Sequence, residues 1–200
     1  MKTRIFLVAT FFVIFSYSQE SNIKKEDWFV NSTIGFAQIE IENVGSYNGF
    51  VFANNISKEF LLKKNTSLLL GIELQNIFYN SNTDEADLYT KNTFLKIPLN
   101  YRYASSKNSN TRVFIDFGLY GSLLIRNKVE SVLEIESDNN SGTNFGLSLG
   151  FGMSQKVNDF INFNINLITQ SDLIENYKGN NNEIKIKNLY GVNLGIGIQL

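Results

Sequence analysis

The 200-residue sequence contains no cysteine, no histidine and only one proline. Without histidine, neither a Ser–His nor an Asp–His catalytic pair can be assembled. A His/Cys metal site is excluded for the same reason. Without cysteine there is no disulfide to hold the chain together. Long apolar runs are also missing: after the first twenty residues, no stretch reaches the ~18–20 uninterrupted apolar residues that a spanning helix requires. An excess of one charge is absent too, since the net charge is −1, and this removes the bulk electrostatic attraction that nucleic-acid binding needs. Aromatic residues, by contrast, make up 14% of the chain.

The N-terminus reads as an export signal. Lys2 and Arg4 precede an apolar run from Ile5 to Phe15, and Ser16-Tyr17-Ser18 places small residues at −3 and −1 before Gln19. This is the pattern of a secretory signal peptide over residues 1–18, cleaved after Ser18. Residues 19–200 then form one domain. Export places the mature chain in a compartment that permits disulfides, yet it has none. Its stability is therefore expected from a closed hydrogen-bond network or a large core.

Strand periodicity dominates the mature chain. In the last thirteen residues Tyr190, Val192, Leu194, Ile196 and Ile198 alternate with Gly191, Asn193, Gly195, Gly197 and Gln199. One face is apolar and the other is small or polar, which is the period-2 signature of a strand between two different environments. Thr93 to Tyr103 alternates as clearly: Leu95, Ile97, Leu99, Tyr101 and Tyr103 against Lys96, Pro98, Asn100 and Arg102. Ser67–Tyr79, Arg112–Arg126, Thr143–Lys156 and Phe160–Gln170 follow the same rule. Trp28–Ile41 and Tyr47–Ile56 are strands with blurred alternation. Ser57–Thr66, Asn80–Asn92, Asn127–Gly142 and Ser171–Lys187 read as turns or loops, with Phe60-Leu61-Leu62 as an alternative extension of the second strand, Asn127–Gly142 being acidic and Asn139–Gly142 and Gly179–Asn182 forming flexible tips.

Eight such segments predict an all-β fold, an eight-stranded antiparallel up-and-down transmembrane β-barrel with a greasy outside and a polar inside. In lipid only a helix or a closed barrel satisfies every backbone group, and no spanning helix is present. The expected placement is the cell outer membrane, with the N-terminus periplasmic and long loops extracellular.

Leu95 to Tyr103, L-K-I-P-L-N-Y-R-Y, resembles the PorT-like (porin-family) outer-membrane β-barrel proteins, in which an Ile-Pro-Leu segment followed by aromatics marks the fourth strand. Ser67–Tyr79 resembles the strand before it, and Val113–Leu124 and Asn144–Gly152 resemble the Gly-rich later strands. The resemblance spans most of residues 28–200 and implies barrel architecture. Some members of that family serve protein secretion across the outer membrane. The C-terminal Leu200 departs from the Phe on which such barrels usually end.

Four charges fall on the inward parity: Glu73, Lys96, Arg102 and Asp116. Reflecting the fourth and fifth strands about Asn108 sets Arg102 opposite residue 114, with Asp116 as its diagonal neighbour. Reflecting the third and fourth about residue 85 or 86 brings Glu73 within a step of Lys96. The four are expected to form a barrel-interior polar network, as a salt-bridged plug or as an ion gate. The sequence thus points to a non-enzymatic barrel without cofactor, in contact with outer-membrane lipid and with envelope or secretion proteins. Its role is structural or surface-interacting. A narrow passive channel and a secreted lipocalin-like ligand-binding barrel are the alternatives. The second needs an apolar lumen and a charged exterior, the reverse of the parity seen.

Overall fold

The structure, a computed structural model, describes residues 27–42, 45–83, 86–105, 110–130, 135–138, 142–174 and 184–199. The expected signal peptide, Asn139–Ser141 of the tip expected at Asn139–Gly142, the tip at Gly179–Asn182, and Leu200 lie outside these residues. Nine strands form in chain order: β1 (Asp27–Ile41), β2 (Gly45–Lys63), β3 (Thr66–Thr83), β4 (Ala86–Ala104), β5 (Thr111–Glu130), β6 (Ile135–Asp138), β7 (Gly142–Lys156), β8 (Ile161–Ile174) and β9 (Ile184–Gln199). Each long strand pairs antiparallel with its chain neighbour. β1 also pairs with β9 over its whole length, so the eight long strands close into a barrel. The short β6 extends the sheet beside the far end of β5. Among the described residues no helix is long and apolar enough to cross a membrane.

The register fixes the shape. Following partners around from Asp27 passes through Glu59, Leu69, Asn100, Gly118, Ser148, Gln170 and Leu189, and returns to β1 at Ala37. The circuit climbs from residue 27 to residue 37, a shear of ten. Ten residues of ~3.3 Å against eight strands ~4.8 Å apart give a tilt of about 40° and a radius of about 8 Å. A residue therefore rises about 2.5 Å along the barrel axis, and each step from strand to strand climbs about 3 Å. We call the end carrying Asp27 and Gln199 the lower rim and the opposite end the upper rim.

The outward face is apolar over a continuous band. Phe36 is 70% exposed, Ile72 62%, Leu167 60% and Phe117 57%. Leu149, Phe151, Leu194 and Ile196 face outward with them, whereas Lys96, Arg102, Asp116, Gly150 and Gly195 face inward. From Trp28 and Tyr103 at the lower border to Phe36 and Phe50 at the upper border, the band is about 25 Å high, the thickness of an outer-membrane barrel's apolar belt. So much exposed hydrocarbon rules out the charged exterior of a soluble lipocalin-like barrel.

Strands continue at both rims where turns or loops are expected, and at the upper rim they run well past this band. Asn80–Asn92 is not a loop: it is a hairpin of β3 and β4 paired from Asn80↔Tyr89 to Thr83↔Ala86. Ser57–Thr66 is mostly strand, turning only at residues 64–65, and Asn127–Glu130 and Ser171–Ile174 belong to β5 and β8. Polar residues hold these strands because the outward face above the band meets water rather than lipid. Gly45, at φ 137°, opens β2 in a backbone conformation that side-chain-bearing residues rarely adopt.

The sole proline leaves a mark on the sheet. Pro98 pairs with Tyr120 on the β5 side, but on the β3 side the ladder steps from Leu70↔Leu99 to Glu73↔Lys96. Pro98 has no N–H to give to the ladder, and the pairing lapses on the β3 side.

Candidate functional site

The lumen is built in layers, and each follows from which strand positions point inward at one height. The lowest holds charge. Arg102 and Asp116 are direct register partners, and the guanidinium grips the carboxylate in a two-point pair: Nε donates to Oδ1 at 2.7 Å and Nη2 to Oδ2 at 2.8 Å. The guanidinium carbon lies 3.8 Å from the centre of the Phe114 ring and 5.3 Å from that of Phe29. Beside it, Glu59 Oε1 accepts from Ser67 Oγ at 2.5 Å and from Arg112 Nη2 at 3.4 Å. Asp27 and Glu59 also face Arg102 electrostatically. With Arg112, the described residues of this layer carry three carboxylates against two cations.

Above it lies a layer of carboxamides. Asn31, Asn55, Asn100, Asn166 and Asn193 point inward from β1, β2, β4, β8 and β9, with Gly71, Gly118 and Gly150 on the three remaining long strands. Their heights agree within about 5 Å. The carboxamides lie over glycines. A Cβ at Gly118 would collide with Asn100 Oδ1, one at Gly195 with Asn31 Oδ1, and one at Gly150 would come within 2.9 Å of Asn166 Nδ2. Small residues on one strand thus make room for amides on the next. Inside this ring is a cavity of about 70 Å³. At ~10–15 Å³ of such volume per water, it has room for several waters. Such waters would suit Asn164, whose buried Oδ1 and Nδ2 have no hydrogen-bond partner, and the equally unpartnered Oδ1 of Asn166.

The third layer closes over the cavity. Lys96, fully buried, donates from Nζ to Gln170 Oε1 at 2.7 Å and sits 4.3 Å above the Tyr120 ring. Glu73 is the register partner of Lys96, and Gln170 hydrogen-bonds it as well, so the amide links the two charges. Tyr120 Oη donates to Asp172 Oδ1 at 2.7 Å. Asp172 Oδ2 accepts from Asn144 Nδ2 at 2.9 Å and from the Ile186 amide at 2.8 Å.

The fourth layer is apolar, contrary to a lumen polar throughout. Ile39, Val51, Ile77, Phe94, Leu124, Ile186 and Leu189 form a core filling the upper lumen, with Ala37, Tyr79 and Ile184. A bulge makes part of it. Gln38 pairs with Asn188 but Ile39 pairs with Ile186, so Lys187 is extra and the parity of β9 switches there. Leu189 below the bulge and Ile184 and Ile186 above it therefore all point inward.

All four residues singled out from the sequence lie in the lumen. Glu73 and Asp116 are 6% and 7% exposed. One detail is corrected: Arg102 is opposite Asp116 itself, not residue 114, because the hairpin is centred near residue 109 rather than Asn108. Glu59 and Asp172 went unnoticed because they sit in segments read as turn and loop. Continuing the inward parity of β2 to Glu59 and of β8 to Asp172 was the signal that could have found them. Among the described residues no cluster of three or more His, Cys, Asp or Glu side chains could hold a metal ion.

No protein-family profile matches this sequence, and no curated protein sequence does. Solved structures do. Neisserial surface protein A superposes with a TM-score of 0.55 at 14% identity, covering 86% of this chain and 97% of that one. The fold is that of the small outer-membrane β-barrels. The outer membrane protein OprG from Pseudomonas aeruginosa gives a TM-score of 0.53 at 12% identity over 88% of this chain and 97% of its own. A major outer membrane protein from Thermus thermophilus gives 0.51 at 12% identity over 88% of this chain and 100% of its own. At such identities the likeness is one of fold.

Proposed function

We propose that the protein is a non-conducting barrel of the cell outer membrane, non-enzymatic and without cofactor. Its lower rim faces the periplasm and its upper hairpins face the cell exterior. It acts as a structural or surface-interaction protein, and an accessory role to secretion or envelope machinery fits a barrel whose working surfaces are its rims and outer wall. The observation that carries this reading is the threefold closure of the lumen by the Arg102–Asp116 layer, the Lys96–Tyr120 layer and the apolar core. A lumen shut by charge, aromatic packing and hydrocarbon in succession offers no continuous water path, which disfavours the narrow channel. The same closure disfavours a gate built from Glu73, Lys96, Arg102 and Asp116, because the core above them remains when they move.

Two measurements test this. Purified protein in a planar bilayer is expected to give no single-channel steps, and steady unitary currents would overturn the reading. For orientation, the absence of cysteine provides a clean background. Asn80→Cys at the upper rim is expected to react with a membrane-impermeant maleimide on intact cells, and Lys64→Cys at the lower rim only after lysis. The reverse pattern would invert the topology.

A further inference from the structure

The outer wall carries a feature that the closed lumen leaves unused. Phe50, Phe78 and Tyr89 line a groove of about 540 Å³ on the outside of β2–β4, edged by Asn48 and Asn80. Phe50 and Phe78 lie 6.5 Å apart between ring centres, and Phe78 and Tyr89 are stacked at 6.2 Å. Lys91 Nζ sits 5.2 Å from the centre of the Phe78 ring, so a cation adjoins the groove. Lys91 and Lys128 are direct register partners on adjacent strands, and Arg126 pairs with Thr93, one diagonal step away. Among the described residues, Lys91 and Arg126 make no ion pair.

Height decides what this patch meets. By the rise per residue and per strand, Phe50 lies at the upper edge of the apolar band, and Lys91 and Arg126 lie about 5 Å above it. That is the level of lipid headgroups, not of open solvent or acyl chains. Aromatic faces suit the C–H face of a pyranose ring, carboxamides suit its hydroxyls, and paired cations suit a phosphate. The groove runs down onto Phe50 and the apolar band, so the acyl chains of a bound lipid continue along the wall below it.

We propose that the groove and its cations bind the phosphorylated sugar headgroup of a glycolipid in the outer leaflet. This rests on the placement of the barrel in the outer membrane with its hairpins outward.

Native mass spectrometry of the full barrel released from detergent micelles, titrated with a bis-phosphorylated diglucosamine lipid, tests it. The wild type is expected to retain the lipid, and the double variant Lys91→Ala/Arg126→Ala to bind about thirtyfold more weakly, the loss of two interfacial cations. Phe78→Ala is expected to weaken binding severalfold, and Lys156→Ala at the opposite rim to leave it unchanged. The dephosphorylated lipid should bind like the double variant. Equal retention by wild type and double variant, or an equal loss from Lys156→Ala, would overturn the proposal. Binding of free glucosamine phosphate as tight as that of the lipid would overturn the lipid as occupant. The membrane placement is checked separately through Trp28 fluorescence on insertion into phosphatidylcholine vesicles free of glycolipid. Failure there sinks the placement, whereas insertion without lipid selectivity sinks only the headgroup site.

Discussion

Removing Asp116 and removing Arg102 should not cost the same. Breaking a buried ion pair by deleting one partner typically costs about 3–5 kcal/mol, because the remaining charge is stranded. The surroundings here differ for the two survivors. After Asp116→Ala, the guanidinium still lies in the field of Glu59 and Asp27 and against the rings of Phe114 and Phe29. The lower layer then holds two carboxylates and two cations, so the cost should fall near about 3 kcal/mol. After Arg102→Met, Asp27, Glu59 and Asp116 keep Arg112 as the layer's cation among the described residues, and a desolvated cation–π contact disappears as well. The cost should approach about 5 kcal/mol, with the cation–π share on the order of 2. The double variant Arg102→Met/Asp116→Ala restores the original charge difference, so it should be milder than Arg102→Met alone, with a coupling of about 2 kcal/mol or more. The assay is reversible urea unfolding of the barrel in phosphatidylcholine vesicles, followed through the single tryptophan, Trp28. An Asp116→Ala variant less stable than Arg102→Met would refute the charge count. A coupling near zero would mean that the pair contributes nothing as a pair.

Three further outcomes follow from the layering and the band. Leu149→Arg, outward near mid-band, should destabilise by about 2–4 kcal/mol, whereas Thr143→Arg, on the same face of β7 but above the band, should cost about 0–1; equal values in vesicle unfolding would contradict the assigned heights. Gly118→Ala places a Cβ 2.6 Å from the Leu99 carbonyl oxygen and onto the Asn100 amide, so about 1–3 kcal/mol should be lost. Gly121→Ala meets nothing within 4 Å and should be neutral or stabilising by up to about 1 kcal/mol, a contrast read from the same titrations. Lys96→Ala should destabilise the barrel without opening a conductance, since the apolar core above it stays intact; ion currents from this variant would show that the core does not seal.

The barrel and the lower half of its lumen were legible in the sequence because the two faces there differ sharply. In β4, Lys96, Pro98, Asn100 and Arg102 inside against Ile97, Leu99, Tyr101 and Tyr103 outside leave no ambiguity of parity. Where the faces share a polarity, the pattern fades. The upper half of β1 carries Ile34 and Phe36 outside and Ala37 and Ile39 inside, which explains its blurred alternation and hides the apolar core. Above the band, β3 and β4 are polar outside and strand-forming all the same, so a loop was read in their place. Bulges removed the rest. The extra residues Lys187, Ile125 and Leu173 each shift the phase of a strand by one, and none leaves a signal in composition.

The seam between β1 and β9 also governs how such a chain reaches its native state. Asp27 pairs with Gln199, so the contacts that complete the sheet join residues 172 positions apart in sequence, 199 − 27. Hairpins can form early, and the Arg102–Asp116 pair, 14 residues apart, forms within one of them. The Lys96–Gln170 and Tyr120–Asp172 bonds span 74 and 52 residues and await the docking of distant hairpins. A topology weighted toward such distant contacts folds slowly, since loop-closure entropy is lost before the contacts that offset it are made. Until the seam shuts, both β1 and β9 present bare edges ready to pair with another chain. The interval before closure is thus the period in which this protein is most prone to aggregate, and in which a holding chaperone would have the most to protect.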